Sequence, residues 1–163
     1  ECEPEAGDSG MTLRAMRWWD IPELVAHEQE LFPEQPWSDV AFWSELAHVP
    51  ATRWYMVHED ADGIDGYVGL MAVPPEADVQ TIAVATRAQG NGLGRELLTA
   101  LIDEARRREC SQVFLEVRSN NASAVTLYES VGFERQAVRT DYYGPGRDAV
   151  VMRLRLRNEE VAS

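Results

Sequence analysis

The sequence contains no lysine and has few cysteines or histidines, and these shortages exclude several kinds of chemistry. All 15 of its basic residues are arginines, so a lysine Schiff base and self-acetylation on lysine are excluded. Cys2 and Cys110 are too few for a disulfide framework, and His27, His48 and His58 are scattered without the spacing of a metal site. We therefore predict that no metal is bound.

Long apolar runs are also missing. No stretch approaches the roughly 18 residues of a membrane span, and no signal-peptide core opens the chain. With 163 residues, 45% of them hydrophobic, the chain suits one globular domain over residues 11–158, with tails at 1–10 and 159–163. We expect a soluble cytoplasmic protein, a monomer or weak dimer, with no membrane or nucleic-acid partner.

Positive charge is scarce in the first half of the chain. The net charge is −13 overall; residues 1–86 hold 17 acids and 3 arginines, whereas residues 87–163 hold 11 acids and 12 arginines. An acidic surface of this kind keeps a protein in solution. It also fits a basic substrate facing the first half and an anionic cofactor held by the second.

A glycine-rich turn, TRAQGNGLG, is the most informative stretch. Gly90, Gly92 and Gly94 precede apolar residues spaced as on one face of a helix. The start of a helix offers free N–H groups, and glycine lets a phosphate approach the backbone closely. The turn is therefore either an anion site or a flexible strand-to-helix connection; it matches neither the dinucleotide fingerprint nor a P-loop.

Alternation of strand and helix signals around this turn predicts an α/β (α+β) fold. Strands are expected at 12–17, 53–59, 67–73, 78–84, 113–117, 134–142 and 149–156, and helices at 20–32, 38–46, 95–110 and 120–133. In the last helix Asn120 or Asn121 is the predicted N-cap and Gly132 the predicted end. In the first helix Asp20 and Glu23 are spaced as a capping box. The sum is a mixed central sheet of about six to seven strands flanked by about four helices.

The motifs on both sides of residue 116 carry a family resemblance. Gln89-x-x-Gly92-x-Gly94, the segment LEVR at 115–118, Asn121, LYES at 127–130 and Gly132-Phe133 occur in order. This pattern resembles the GNAT acetyltransferases, and within them the ribosomal-protein-alanine N-acetyltransferases of RimI type. The resemblance covers roughly residues 12–156 and implies a single GNAT-like domain that uses acetyl-CoA (coenzyme A).

The resemblance also implies which residues form the cofactor site. The glycine turn would hold the pyrophosphate, the preceding strand would offer backbone groups to the pantetheine arm, and Asn121 would be a further contact. The residues are Ile82, Ala83, Val84, Arg87, Gln89, Gly90, Asn91, Gly92, Leu93, Gly94, Arg95, Asn121 and Tyr128.

Two side chains suit the acetyl transfer that the resemblance implies. The acceptor amine must lose a proton and the leaving thiolate must be protonated or stabilised. By resemblance Glu116 is the general base and Tyr128 the general acid. From the residues alone, Glu116 could instead be a strand residue paired to an arginine, and Tyr128 a core aromatic.

The acceptor side is predicted from the same resemblance. The proline-rich loop at 32–38 would help form the acceptor groove, with Glu34, Trp37 and Asp39 as contacts, and Tyr142 and Tyr143 would border the acceptor peptide. Taken singly, each aromatic residue of this loop region is more typical of a core and each acid of a solvated face.

The predicted function is acetyl-CoA-dependent acetylation of a protein N-terminus, in particular the N-terminal alanine of a small-subunit ribosomal protein. Two alternatives stay open: acetylation of a small amine such as a polyamine or an antibiotic, and a non-catalytic domain that binds acyl-CoA. A peptide competition assay separates the first from the prediction, and transfer to any peptide excludes the second.

Overall fold

The structure, a computed structural model, describes residues 12–156, which form four helices and seven strands. The strands are β1 (Thr12–Ala15), β2 (Arg53–Asp60), β3 (Gly63–Val73), β4 (Glu76–Val84), β5 (Gln112–Arg118), β6 (Glu134–Arg139) and β7 (Ala149–Arg155). The helices are α1 (Ile21–Leu31), α2 (Asp39–Leu46), α3 (Leu93–Arg107) and α4 (Ala122–Val131). The predicted tails at 1–10 and 159–163, and both ends of the predicted domain, lie outside the described residues.

All seven strands form one sheet in the order β1-β2-β3-β4-β5-β7-β6. Neighbouring strands are antiparallel except β4 and β5, which are parallel. The connection between this parallel pair is α3, as parallel pairing requires a crossover. The predicted mixed sheet of about six to seven strands with about four helices is confirmed.

Helices cover both faces of the sheet. On one face α3 and α4 pack against alternate residues of β3 and β5, with Leu97, Leu101 and Leu115 among the buried core. On the other face α1 and α2 pack over Tyr55 and Tyr67. The apolar stripe of α3 explains its position, because five buried residues recur at helical spacing: Leu97, Leu98, Leu101, Ile102 and Ala105.

The structure corrects several predicted boundaries. Strand β6 ends at Arg139, because Asp141 takes a left-handed conformation (φ +57°) and opens a turn. The capping box predicted for α1 is wrong: Asp20 accepts hydrogen bonds from Arg14, and Glu23 accepts one from the Ile64 N–H at 2.9 Å. Helix α3 ends at Arg107 rather than at residue 110.

The separation of β4 from β5 positions the site. The two strands pair only from Glu76 to Asp78 on β4 and from Gln112 to Phe114 on β5. Beyond these three residues both strands continue, to Val84 and Arg118, without pairing to one another. A wedge therefore opens between them. Within residues 12–156 every helix is too short or too polar to cross a lipid bilayer.

Candidate active site

A cleft of about 670 Å³ lies where β4 diverges from β5, between the end of β4 and helix α4, which follows β5. One wall comes from the end of β4 and the start of α3, and the other from α4. Among the described residues that line it, Arg95 is the single charged side chain, although the chain as a whole carries a net charge of −13. The lining residues include Ile82, Ala83, Val84, Gln89, Gly90, Gly92, Leu93, Gly94, Arg95, Asn121 and Tyr128.

The glycine turn has the geometry of an anion site. Gly90 and Gly92 have φ of +84° and +83°, a region that glycine adopts without steric cost. A Cβ at either position would meet no atom within 4 Å, so the space above both residues is open. Gly92 is the N-cap of α3, and the first intrahelical N–H donor is Glu96, which leaves the preceding N–H groups free for an anion.

The residues present therefore fit a coenzyme A pyrophosphate. The helix N-terminus supplies N–H donors and a partial positive charge, the lining contains Arg95, and no carboxylate among the described lining residues opposes an anion. Arg95 donates to the Ser130 hydroxyl at 2.7 Å, which orients its guanidinium beside α4. Gln89 donates to the Val84 carbonyl at 3.1 Å and so ties the turn to the end of β4.

Two residues of the predicted cofactor set do not line this cleft. Arg87 donates to Asp60 at 3.1 Å and to the carbonyl groups of Gly63 and Ile64, so its side chain is engaged at the β2–β3 turn. Asn91 lies exposed between the two left-handed glycines. The sequence motif could not separate these two from their neighbours, because side-chain direction in a turn follows from the fold.

Tyr128 lies on α4 at the inner end of the cleft and is 7% exposed. Its ring packs against Phe133, with centroids 5.9 Å apart. Burial, with a smaller contribution from nearby Tyr143, raises the pKa of Tyr128 to about 12. Its hydroxyl is therefore protonated throughout the physiological range.

Asn121 is placed by its role as the N-cap of α4. Its side-chain oxygen accepts hydrogen bonds from the Ala124 N–H and from the Ser123 hydroxyl, both at 3.2 Å. Since Asn121 also lines the cleft, this cap fixes its amide against the wall opposite β4. The predicted cap, left open between residues 120 and 121, is Asn121.

Glu116 lies on β5 on the face opposite the buried Val117, and its side chain is 30% exposed. It pairs with Arg139 at 3.4 Å, and the nearby Glu116 carboxylate raises the pKa of Tyr142. Tyr143 lies near both predicted catalytic residues: burial and then the charge of Glu116 raise the pKa of Tyr143, and Tyr143 makes the smaller contribution to the raised pKa of Tyr128.

Two loops meet beside Glu116. Glu34, in the α1–α2 loop, accepts hydrogen bonds from Arg118 of β5 at 2.9 Å and from Arg147 of the β6–β7 loop at 2.8 Å. The Arg118 guanidinium lies over the Tyr143 ring, 5.1 Å from its centroid. Predicted acceptor residues Glu34 and Tyr143 therefore meet at Arg118, and the Tyr142 ring packs on Tyr143 with centroids 5.0 Å apart.

The other two predicted acceptor residues lie elsewhere. Trp37 packs on Phe42, with ring centroids 5.2 Å apart, and its backbone N–H donates to the Glu28 carboxylate at 3.1 Å. Asp39 is the first residue of α2 and lines a separate groove together with Trp18, Trp19 and Trp43. The structure thus separates Asp39 from Glu34, although the two are five positions apart in sequence.

Several residues that line the cleft are not among the predicted site residues. Leu31 and Phe32, at the C-terminal end of α1, close one side of the cleft. Apolar residues at a helix end are typical of a core, and only the fold brings this end to the wedge. The other unpredicted lining residues are Ala88, Ser123, Ala124 and Leu127.

Fold and cleft together define a class, and the comparisons with known proteins agree. Residues 13–133 match the Acetyltransferase (GNAT) family. The chain belongs to this family, and it is an N-acetyltransferase that uses acetyl-CoA. The resemblance drawn from the sequence is confirmed.

Individual members of the family are similar to this chain over most of its length. The chain is 38% identical to the N-alpha-acetyltransferase RimI of Mycobacterium tuberculosis, over 88% of this chain and 91% of that protein. The crystal structure of the ribosomal-protein-S18-alanine N-acetyltransferase from Escherichia coli superimposes with a TM-score of 0.79 at 31% identity, over 94% of this chain and 99% of that chain. An uncharacterized Mycobacterium leprae protein is 39% identical over 82% of this chain, which spans 38% of its length.

Proposed function

We propose that this enzyme acetylates the α-amino group of a protein N-terminus, in particular the N-terminal alanine of a small-subunit ribosomal protein in the cytoplasm. The observation that carries the proposal is the cleft itself, which joins the N-terminus of α3 to a buried phenol and has no carboxylate among its described lining residues. The names of the relatives from M. tuberculosis and E. coli support this acceptor, since both match over at least 91% of their own length.

Acetyl-CoA would supply the acetyl group as a thioester. The N–H groups at the start of α3, with Gly90, Gly92 and Arg95, hold its pyrophosphate. The backbone of 82–84 and the amide of Asn121 line the same cleft and suit the amide groups of the pantetheine arm. We assign no contact to Arg87 or Asn91.

Tyr128 stabilises the leaving sulfur. A pKa of about 12 exceeds that of a thiol, taken as about 8.5, by roughly 3.5 units, so complete proton transfer to the thiolate is uphill by about 5 kcal/mol. A hydrogen bond from the phenol to the developing thiolate has no such cost. We therefore refine the general-acid role of Tyr128 to that of a hydrogen-bond donor.

Glu116 receives the proton of the acceptor amine, directly or through water. Its carboxylate pairs with Arg139 and lies near the Tyr142 hydroxyl. Deprotonating an α-amine with a pKa of about 8 costs about 1 kcal/mol at pH 7, whereas a lysine amine near 10.4 costs about 4–5 kcal/mol. A carboxylate base thus suits a protein N-terminus, and Tyr142 and Tyr143 border the peptide.

Two variants test these roles. Glu116→Gln and Tyr128→Phe are expected to keep acetyl-CoA affinity, measured by calorimetry, while turnover falls by roughly 10²–10⁴-fold. Glu129→Gln is the matched control, because its carboxylate is next to Tyr128 in sequence but pairs with Arg135 on the surface. Turnover unchanged in both variants would remove the assigned roles.

A competition assay tests the acceptor. An alanine-initial peptide and spermidine are offered together with acetyl-CoA, and the products are separated by mass spectrometry. Acetylation of the peptide α-amine at least tenfold faster is the expected result. Preference for spermidine, or for an internal lysine of the peptide, would contradict the proposal.

A further inference from the structure

A second groove, of about 530 Å³, lies on the face covered by α1 and α2 and is distinct from the acetyl-CoA cleft. Trp18, Trp19 and Trp43 line it with Pro22, Val25 and Asp39. The three tryptophans are 58%, 59% and 50% exposed. Large aromatic side chains exposed together mark an interaction surface more often than a solvated one. We call this the tryptophan groove.

The indole rings of the groove offer several π faces at one place. Trp18 and Trp43 are nearly parallel, with an interplanar angle of 19° and centroids 6.1 Å apart. Trp19 stands at 81° to Trp18, with centroids 5.6 Å apart. The remaining tryptophans, Trp37 and Trp54, pack against the two cores instead. A tryptophan face attracts a cation more strongly than any other aromatic side chain.

The charge of the groove also favours a cationic ligand. Asp39 is the one charged side chain among the described residues that line it. Its carboxylate accepts only from its own helix, at the Val40 N–H (2.9 Å), so it keeps its negative charge available to a ligand. Arg17, which precedes Trp18, is exposed but does not line the groove. A carboxylate beside tryptophan faces is complementary to an arginine or lysine side chain.

We propose that the tryptophan groove docks a basic segment of the acceptor protein downstream of its acetylated N-terminus. An arginine or lysine of that segment lies on Trp18 and Trp43 with its charge toward Asp39. The inference rests on the proposed function and extends it from the terminal residue to the body of the substrate. The net charge of −13 favours the approach of a basic protein at long range.

Helix α1 connects the two sites and sets the length of the segment. Leu31 and Phe32 at its C-terminal end line the acetyl-CoA cleft, and Pro22 and Val25 near its N-terminal end line the tryptophan groove. Eleven helical residues span about 16 Å at 1.5 Å per residue. An extended peptide covers that distance in about five residues. Cations beyond about the fifth residue of the acceptor are therefore the ones recognised.

Three synthetic peptides test the proposal. One is a neutral alanine-initial tetrapeptide, the second extends it to 16 residues with four arginines after position 5, and the third replaces those arginines by glutamine. For the arginine peptide, kcat/KM is expected to exceed that of the other two. Trp18→Ala and Trp43→Ala should each lower it by about three- to thirtyfold, the range of one cation–π contact, and leave the tetrapeptide within twofold.

Charge variants guard against loss of packing in the alanine variants. Asp39→Asn keeps the shape of the groove and should lower kcat/KM for the arginine peptide but not for the glutamine peptide. Asp103→Asn is the control, since it removes one exposed charge from α3, on the other face of the sheet. If the two substitutions had equal effects, the peptide would be attracted by the net charge of the protein alone, and the proposed docking in the tryptophan groove would be wrong.

Other outcomes also overturn the proposal. Equal kcat/KM for the arginine and glutamine peptides in the unsubstituted enzyme would do so. A concentration-dependent dimer in sedimentation experiments that Trp43→Ala abolishes would assign the groove to a second copy of the chain. Failure of the proposed function has a different signature, because the tetrapeptide itself would then not be acetylated.

Discussion

Glu28 offers a quantitative test of how the α1–α2 loop is held. Its carboxylate is 1% exposed, and it accepts from the Tyr67 hydroxyl at 2.8 Å and from the Trp37 N–H at 3.1 Å. The perturbation is Glu28→Ala, which leaves both donors without this acceptor. Trp37 lies in the α1–α2 loop just before α2. The hydrogen bond from its backbone N–H to Glu28 therefore joins the core under α1 to the loop that carries Glu34.

The expected loss follows from those two bonds. A buried donor left without an acceptor costs about 1–3 kcal/mol, and the Trp37 N–H, which is only partly buried, is at the low end of that range. Relief of the buried carboxylate offsets part of the cost. We therefore expect Glu28→Ala to lower the free energy of unfolding by about 1–3 kcal/mol, and Glu28→Gln, which keeps one acceptor oxygen, by about 1 kcal/mol.

Urea denaturation followed by far-ultraviolet circular dichroism measures both losses. Gln29→Ala is the control: Gln29 is the next residue of the same helix and is exposed, so its substitution should change stability by less than about 0.5 kcal/mol. A loss for Glu28→Ala no larger than that of Gln29→Ala would refute the reasoning.

The same residue predicts a pH dependence. Burial raises the pKa of Glu28 above its ordinary value, so the folded chain binds this proton more tightly than the unfolded chain. Its contribution to stability is complete below the unfolded pKa of about 4.5 and is lost as pH rises through the higher folded pKa. Glu28→Gln should flatten that part of the stability profile, and an unchanged profile would contradict the sign.

Three further predictions concern the site and the sheet. Glu34→Gln releases two arginines and should raise the acceptor KM about three- to tenfold without changing the acetyl-CoA KM; an equal effect of the surface variant Glu129→Gln would contradict this. Gly69→Ala should destabilise the fold by about 3 kcal/mol or more in urea, because its Cβ would overlap the Tyr55 ring; a loss below about 1 kcal/mol would be inconsistent with that packing. The pKa of about 12 for Tyr128 predicts no alkaline fall in kcat from this group up to pH 10; a fall near pH 9 that disappears in Tyr128→Phe would count against it.

The sequence predicts most of the fold because its strongest signals are local. The apolar period of α3, the glycines before it and the Asn121 cap depend on neighbours within a few residues, and the structure has all three. The capping box at Asp20 failed for the opposite reason. Arg14, from β1, competes for the same carboxylate through a bidentate ion pair, and spacing alone does not reveal that partner.

The candidate site was predictable where a motif is contiguous and not where the contacts are distant. Gly90 to Arg95 lie in one turn, so the sequence predicts this part of the cleft wall, apart from Asn91, which does not line it. Glu34 binds arginines 84 and 113 residues further along, and no local pattern marks such pairs. The chain also turns between Glu34 and Asp39. Asp39 therefore lines the tryptophan groove, away from Glu34, and the sequence does not show this separation.

The narrow pairing of β4 with β5 has a mechanical consequence. Their backbones are hydrogen-bonded over three residues on each side, so a molecule lying in the cleft, against the end of β4 and against α4, connects two parts of the domain whose strands are not paired there. Acetyl-CoA would then act as a brace as well as a reagent. Amide hydrogens near Val84 and near Arg118 should exchange more slowly together when it binds, and the enzyme would meet its protein acceptor in a stiffened form.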